Sequence, residues 1–361
     1  MKYYETSFIE YVQAVERYNI HPELQETFSK FPKNIYKIEN LILYGPSGVG
    51  KYSQLLKQLT KYSPSGLKYD KRITVATDKQ EYIYRISDIH YEIDMALLGC
   101  NSKTLWHEVF FQIIDIVSVK QEKIGIIVCK NFHQIHTELL DIFYSYMQQY
   151  NHSHTSIYIK FILITEQVSF LPTSILNNCH LLHIGRPAKE NYNKITQINH
   201  ETETANNFIQ RISKNTITPE SNSLIKNQLK NIDTENILNM KEINQFDLFT
   251  KYEKTNDIPE DIFDIVCNQI IDEISTINKN KYIELREALY NILTYNLDVP
   301  ECIWYIISHF INTGELTDDA LSSTLERMYI FLKYYNNNYR PIYHLESITF
   351  YIITKIYKLD E

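Results

Sequence analysis

Leu41-Ile42-Leu43-Tyr44-Gly45-Pro46-Ser47-Gly48-Val49-Gly50-Lys51-Tyr52 decides how the rest of the chain is read. Four apolar residues bounded by Gly-Pro predict a short buried strand that ends in a sharp turn. Lys51 to Leu59 then predicts a helix. The chain has only 8 glycines, and three of them, Gly45, Gly48 and Gly50, sit in this one turn. Gly45, Pro46, Ser47, Gly48, Val49, Gly50 and Lys51 fit the first seven positions of G-x-x-x-x-G-K-[ST]. In that motif backbone N–H groups and a helix N-terminus cradle phosphates, while the lysine reaches the terminal ones. A glycine-rich turn without chemistry is the plainer reading. The order of strand, loop and helix argues against it.

The eighth position is Tyr52, where the motif calls for a short hydroxyl that binds magnesium. A phenolic oxygen sits too far from its backbone for that place, and Ser53, one step on, is turned away by about 100°. The expectation is a cradle for ATP or ADP, formed by residues 45–52, that holds magnesium poorly.

Outward from the loop, strands and helices alternate. Arg72–Thr77 and Glu81–Ile86 predict a hairpin around Asp78-Lys79-Gln80. Further strands are expected at His90–Ile93, Ile124–Cys129, Ile157–Thr165 and Cys179–Ile184, with helices at about Thr104–Val117 and Thr137–Gln149. This spacing predicts an α/β layer with a mainly parallel sheet. Hydrolysis needs a carboxylate for the metal and another to orient water at the end of a later strand. The matching segment, Ile126-Ile127-Val128-Cys129-Lys130-Asn131-Phe132-His133, contains no acid. Lys130 stands where the metal-binding Asp belongs and Asn131 where the water-activating Glu belongs. Cys129, His133 and His136 are too few for a closed zinc site, and Cys129 ends a strand expected to be buried. No metal site is therefore expected.

Strands stop near Arg186. Residues 187–255 are polar, Asn-rich and weakly periodic, and are assigned to a small helical domain. Beyond Pro259 the helical pattern returns. Pro300 suits a first turn, Gly314 a stop and Thr317 an N-cap, followed by a stripe of Leu321, Leu325, Met328 and Leu332; Pro341 opens a last helix.

The 361 residues leave room for two or three domains, and 44% hydrophobic with 22% charged residues fits a globular chain. A net charge of -8 excludes a uniformly basic nucleic-acid binder. No apolar run of about 18 residues is present, so no membrane span is expected, and Met1-Lys2-Tyr3-Tyr4-Glu5 does not read as a secretory signal. Five scattered cysteines without a CxxC pair fit a reducing setting, nucleus or cytoplasm. The 29 tyrosines, with abundant Ile, Asn and Lys, reflect AT-rich codons.

With these features in hand, the chain resembles the small subunits of replication factor C, the AAA+ clamp loader. Four stretches carry the resemblance: Leu43 to Lys51, Phe161-Ile162-Leu163-Ile164-Thr165-Glu166, Ile175-Leu176-Asn177-Asn178-Cys179, and Pro341-Ile342-Tyr343-His344-Leu345-Glu346. It is similar above all to the paralogue with a hairpin insertion, here residues 72–94, and weakened catalytic motifs. The resemblance implies an AAA+ P-loop α/β domain at 1–186, a small helical lid at 187–255 and an all-helical collar at 256–361. The family's sensor Asn falls on Glu166, whose charge opposes a triphosphate. Its trans-acting Ser-Arg-Cys falls on Asn177-Asn178-Cys179, without a guanidinium, and no Arg lies between Arg85 and Arg186. The resemblance thus implies a non-catalytic clamp loader subunit, with degenerate positions Tyr52, Lys130, Asn131, Glu166 and Asn178. Its partners would be sibling subunits, the sliding clamp and primed duplex DNA. Lys103, in the first turn of a helix, would be its DNA-phosphate contact. Two alternatives stay open: a DNA-stimulated ATPase with unconventional metal ligands, and a free-standing nucleotide sensor.

Overall fold

The structure is a computed structural model, and it describes residues 6–76, 81–99, 101–150, 156–188, 190–191, 262–276, 282–335 and 340–359. These fall into two units, an α/β unit within residues 6–168 and 172–191 and a helical unit that comprises residues 169–171 and the chain from Ile262 onward. The expected lid at 187–255 and the boundary at 256 lie almost wholly outside the described residues, as does the hairpin turn Asp78-Lys79-Gln80.

In the α/β unit the helices are α1 (Phe8–Arg17), α2 (Leu24–Ser29), α3 (Lys51–Leu59), α4 (Ser102–Val119), α5 (Thr137–Gln149) and α6 (Thr173–Leu176). The strands are β1 (Leu41–Tyr44), β2 (Lys71–Ala76), β3 (Glu81–Ile86), β4 (His90–Asp94), β5 (Ile124–Lys130), β6 (Tyr158–Thr165) and β7 (His180–His183). They form one sheet in the order β2-β3-β4-β5-β6-β1-β7. From β4 to β7 all neighbours run parallel; only the β2–β3–β4 edge is antiparallel. Burial follows this division. All but the last residue of β5 is buried, as a strand covered on both faces requires, whereas β3 alternates exposed and buried side chains.

Leu41, Leu43, Val49, Leu55, Leu56, Leu59, Ile126, Val128 and Ile162 share one core, which Phe8 and Val12 of α1 and Phe28 of α2 complete. Trp106, Phe110, Phe143 and Phe161 form a ring cluster, with Phe110 stacked on Phe161 and Phe143 edge-on to it. The helices α1 and α2 had no expectation in the sequence analysis. The signal for α1 was present in Ser7-x-x-Glu10: the Ser7 N–H donates to Glu10 Oε2 at 3.2 Å, completing a capping box ahead of Phe8 and Val12.

The helical unit contains α7 (Ile262–Ser275), α8 (Tyr282–Thr294), α9 (Val299–Asn312), α10 (Asp318–Tyr335) and α11 (Pro341–Ile356). Asp298 caps α9 by accepting from the Glu301 N–H at 3.1 Å, with Pro300 in the first turn as expected. Gly314 takes φ 78 after the helix. One expectation is corrected. The buried face of α10 carries Thr324, Met328 and Phe331, and Leu325 is 39% exposed. A Thr can lie in this face because its Oγ1 donates to the Ala320 carbonyl at 2.7 Å, so no polar group is stranded. Hydrophobicity pointed to Leu325, one helical step off the face that packs.

Candidate functional site: a phosphate cradle at the carboxyl edge of the sheet

Strand β1 delivers the chain into the loop, and backbone geometry fixes the turn. A side chain at Gly45 would run into the Ile184 carbonyl oxygen, because Ile184 N–H donates to the Tyr44 carbonyl at 2.8 Å and holds the two segments together. Gly50 adopts φ 89 immediately before α3, a left-handed conformation that disfavours any residue with a Cβ. The first intrahelical bond of α3 runs from Gln54 N–H to the Gly50 carbonyl. By helix geometry the N–H groups of residues 50–53 therefore have no intrahelical acceptor. Lys51, only 8% exposed, folds back so that its Nζ donates to the Gly45 carbonyl at 2.6 Å and the Pro46 carbonyl at 2.5 Å.

An N-terminal segment that the sequence analysis missed braces this loop. His21 is buried, and its Nε2 donates to the Val49 carbonyl at 2.7 Å while Nδ1 lies 2.8 Å from Glu23 Oε1. Asn19 Oδ1 accepts from Gln54 Nε2 at 2.7 Å and from the His21 N–H at 3.0 Å. No local motif marks these residues. Only the tertiary packing of 18–21 against α3 brings them to the loop.

Because β1 pairs parallel with β6, and β6 with β5, the carboxyl ends of all three strands share one edge. In open α/β sheets ligands bind outside that edge. Of the residues expected at the site, the loop 45–52, Lys130, Asn131 and Glu166 come together there. Glu166 follows Thr165, the register partner of Tyr44, and lies 3.7 Å from His133 Nε2. Lys103 is an exposed residue in the first turn of α4. Asn178 precedes β7 at the opposite edge, where its Nδ2 donates to the Ser174 carbonyl at 2.8 Å and to the Tyr144 hydroxyl at 3.0 Å.

Beneath the first turn of α3 lies a charged cluster built on Glu92 of β4, which is buried at 2% exposure. The Tyr52 hydroxyl donates to Glu92 Oε1 at 2.6 Å, His90 Nε2 stands 3.3 Å from the same oxygen, and Lys130 Nζ is 3.4 Å from Oε2. Burial would raise the Glu92 pKa. The hydrogen bond and charge of His90, the Lys130 ammonium and the Tyr52 hydroxyl outweigh it, lowering the carboxyl to about 2. Burial first, and the Glu92 charge second, push the Tyr52 phenol far above its ordinary value. The phenol is therefore a fixed hydrogen-bond donor.

These residues do not fit magnesium. The position that should offer a hydroxyl to the metal has turned inward to Glu92, and an ammonium occupies the strand end that should offer an acid. Asn131, at φ 51, is likewise engaged, donating from Nδ2 to Asp94 Oδ1 at 2.9 Å and Oδ2 at 3.1 Å.

No protein-family model matches the chain. No curated protein matches it either. Among solved structures it is similar to a point mutant of RuvB from Thermotoga maritima, at 12% identity and TM-score 0.40, covering 81% of this chain and 86% of that one. It is similar to PCH-2 of C. elegans at 12% identity and TM-score 0.38, covering 70% and 66% of the two chains. It is similar to the AAA domain of FIGL-1 at 14% identity and TM-score 0.34, covering 76% and 78%. Strand β1, which leads into the glycine-rich loop, lies between β6 and β7 of a mainly parallel sheet, an α/β fold followed by a helical C-terminal unit. No described helix is long and apolar enough to cross a membrane.

Proposed function

We propose that this chain is a non-catalytic, nucleotide-binding subunit of a clamp loader of the replication factor C type, working inside the cell. One contrast carries the reading. The phosphate loop keeps its glycines and Lys51, while the positions that should serve hydrolysis are committed elsewhere, Lys130 to Glu92 and Asn131 to Asp94. ATP or ADP is a structural ligand in this reading. The α/β unit flanks a nucleotide-hydrolysing sibling, and the helical unit joins a collar that assembles the ring. Such a ring opens a sliding clamp and places it on primed duplex DNA, with Lys103 and the N-terminus of α4 contributing a phosphate contact.

Purified protein with ATP and magnesium tests the catalytic half. Turnover indistinguishable between wild type and Lys51→Ala is expected, and turnover that Lys51→Ala abolishes overturns the reading. Co-expression with clamp loader siblings tests the assembly half. Co-purification that is lost on deleting residues 256–361 is expected, and a stable monomer that ignores its siblings points to a free-standing sensor.

A further inference from the structure

We infer that the phosphate pocket works without a divalent cation, with Lys130, held in place by Glu92, as a built-in positive charge beside Lys51. This rests on the nucleotide-binding reading above and specifies how that site meets its ligand.

In a phosphate-loop site the metal is held by a hydroxyl just after the lysine and an acid at the end of a neighbouring strand. Here both positions close on a single buried carboxylate. Tyr52 donates a hydrogen bond to one oxygen of Glu92 at 2.6 Å, and the Lys130 ammonium forms an ion pair with the other at 3.4 Å. The ammonium also lies 5.3 Å from the centre of the Tyr52 ring, a cation–π contact that fixes it against the residue following Lys51. A magnesium ion entering between these groups would meet the like charge of the Lys130 ammonium, which already neutralises the one buried carboxylate there.

The cluster is also oriented. The Glu92 side chain is 1% exposed, whereas that of Lys130 is 29% exposed. The pair therefore presents its positive end outward at the edge shared by β5, β6 and β1, and keeps its negative end underneath. A polyphosphate in the cradle brings anionic oxygens to that edge. An ammonium, a compact point charge with three donors, can neutralise them as a metal would. Because the protein supplies it, the charge requires no ion from solution. It also lacks the open coordination positions with which a metal organises an attacking water, in keeping with binding without turnover.

Calorimetric titration of ATP into the full chain, in excess magnesium and again in excess EDTA, tests the inference. Dissociation constants equal within about twofold are expected. Lys130→Met should weaken ATP binding by about tenfold or more in both buffers and leave adenosine binding unchanged. Lys130→Arg, which keeps the charge, should retain most of the affinity and guards against a misfolded Met variant. Magnesium that tightens wild-type binding tenfold or more overturns the inference but leaves the nucleotide-binding reading standing. So does a folded Lys130→Met variant that binds ATP like wild type. Absence of ATP binding in both buffers overturns both.

Discussion

The carboxyl ends of β1 and β5 lie on the same edge of one sheet and have been treated in opposite ways. At β1 the turn is specified by backbone: Gly45 must pass the Ile184 carbonyl, and Gly50 must be left-handed. At β5 the site is specified by side chains, and these are turned to internal partners, Lys130 to Glu92 and Asn131 to Asp94. A turn fixed by its backbone is part of the fold, so losing it costs stability. Catalytic charges are not part of the fold, and others can replace them wherever new partners satisfy the replacements.

Gly45 carries the backbone side of this difference. Gly45→Ala places a Cβ against the Ile184 backbone, which the bond to Tyr44 prevents from moving, so a loss of about 3 kcal/mol or more is expected in urea unfolding. Wild-type stability would mean that the loop is not fixed by its backbone.

Glu92 holds the side-chain cluster at β5 by charge. Its carboxyl is lowered from 4.5 to about 2, equivalent to roughly 3 kcal/mol of stability. A depressed carboxyl contributes fully above its unfolded value and loses that contribution as pH falls through the folded one. Glu92→Gln is therefore expected to be less stable than wild type by about that amount at pH 7. The two unfolding curves should draw together between pH 4.5 and about 2. A difference that persists unchanged at the acid end would show that shape, not charge, is what Glu92 supplies.

The smallest effect belongs to Asn131. Asn131→Ala should cost about 1–2 kcal/mol, from the left-handed backbone and the lost bonds to Asp94. Asn131→Gly should recover the backbone part of that cost. Equal costs for the two variants would locate the whole effect in the Asp94 contact.

Much of the α/β unit was legible because its signals are local. Apolar runs ending in Gly or Pro gave β1 and the loop, and helix Thr137–Gln149 is found at its expected bounds. The acid-free end of β5 was visible directly. For the N-terminal helices the local signal is a single capping box, Ser7-x-x-Glu10, ahead of α1. Leu325 was placed on the packed face because hydrophobicity cannot locate the centre of a helix face when a Thr can bond its own backbone within it.

Glu92, His90 and His21 were not legible at all. Glu92 lies in a strand 40 residues from Tyr52 and His21 lies 28 residues from Val49, and no spacing rule links either pair. Residue types at fixed local offsets were enough to read a glycine-rich loop of the phosphate-binding pattern after β1 and an end of β5 without an acid. What Tyr52, Lys130 and Asn131 touch emerges from the fold alone. That depends on which strand becomes the neighbour of which, and on the dry interior in which Glu92 can hold Tyr52 and Lys130 together.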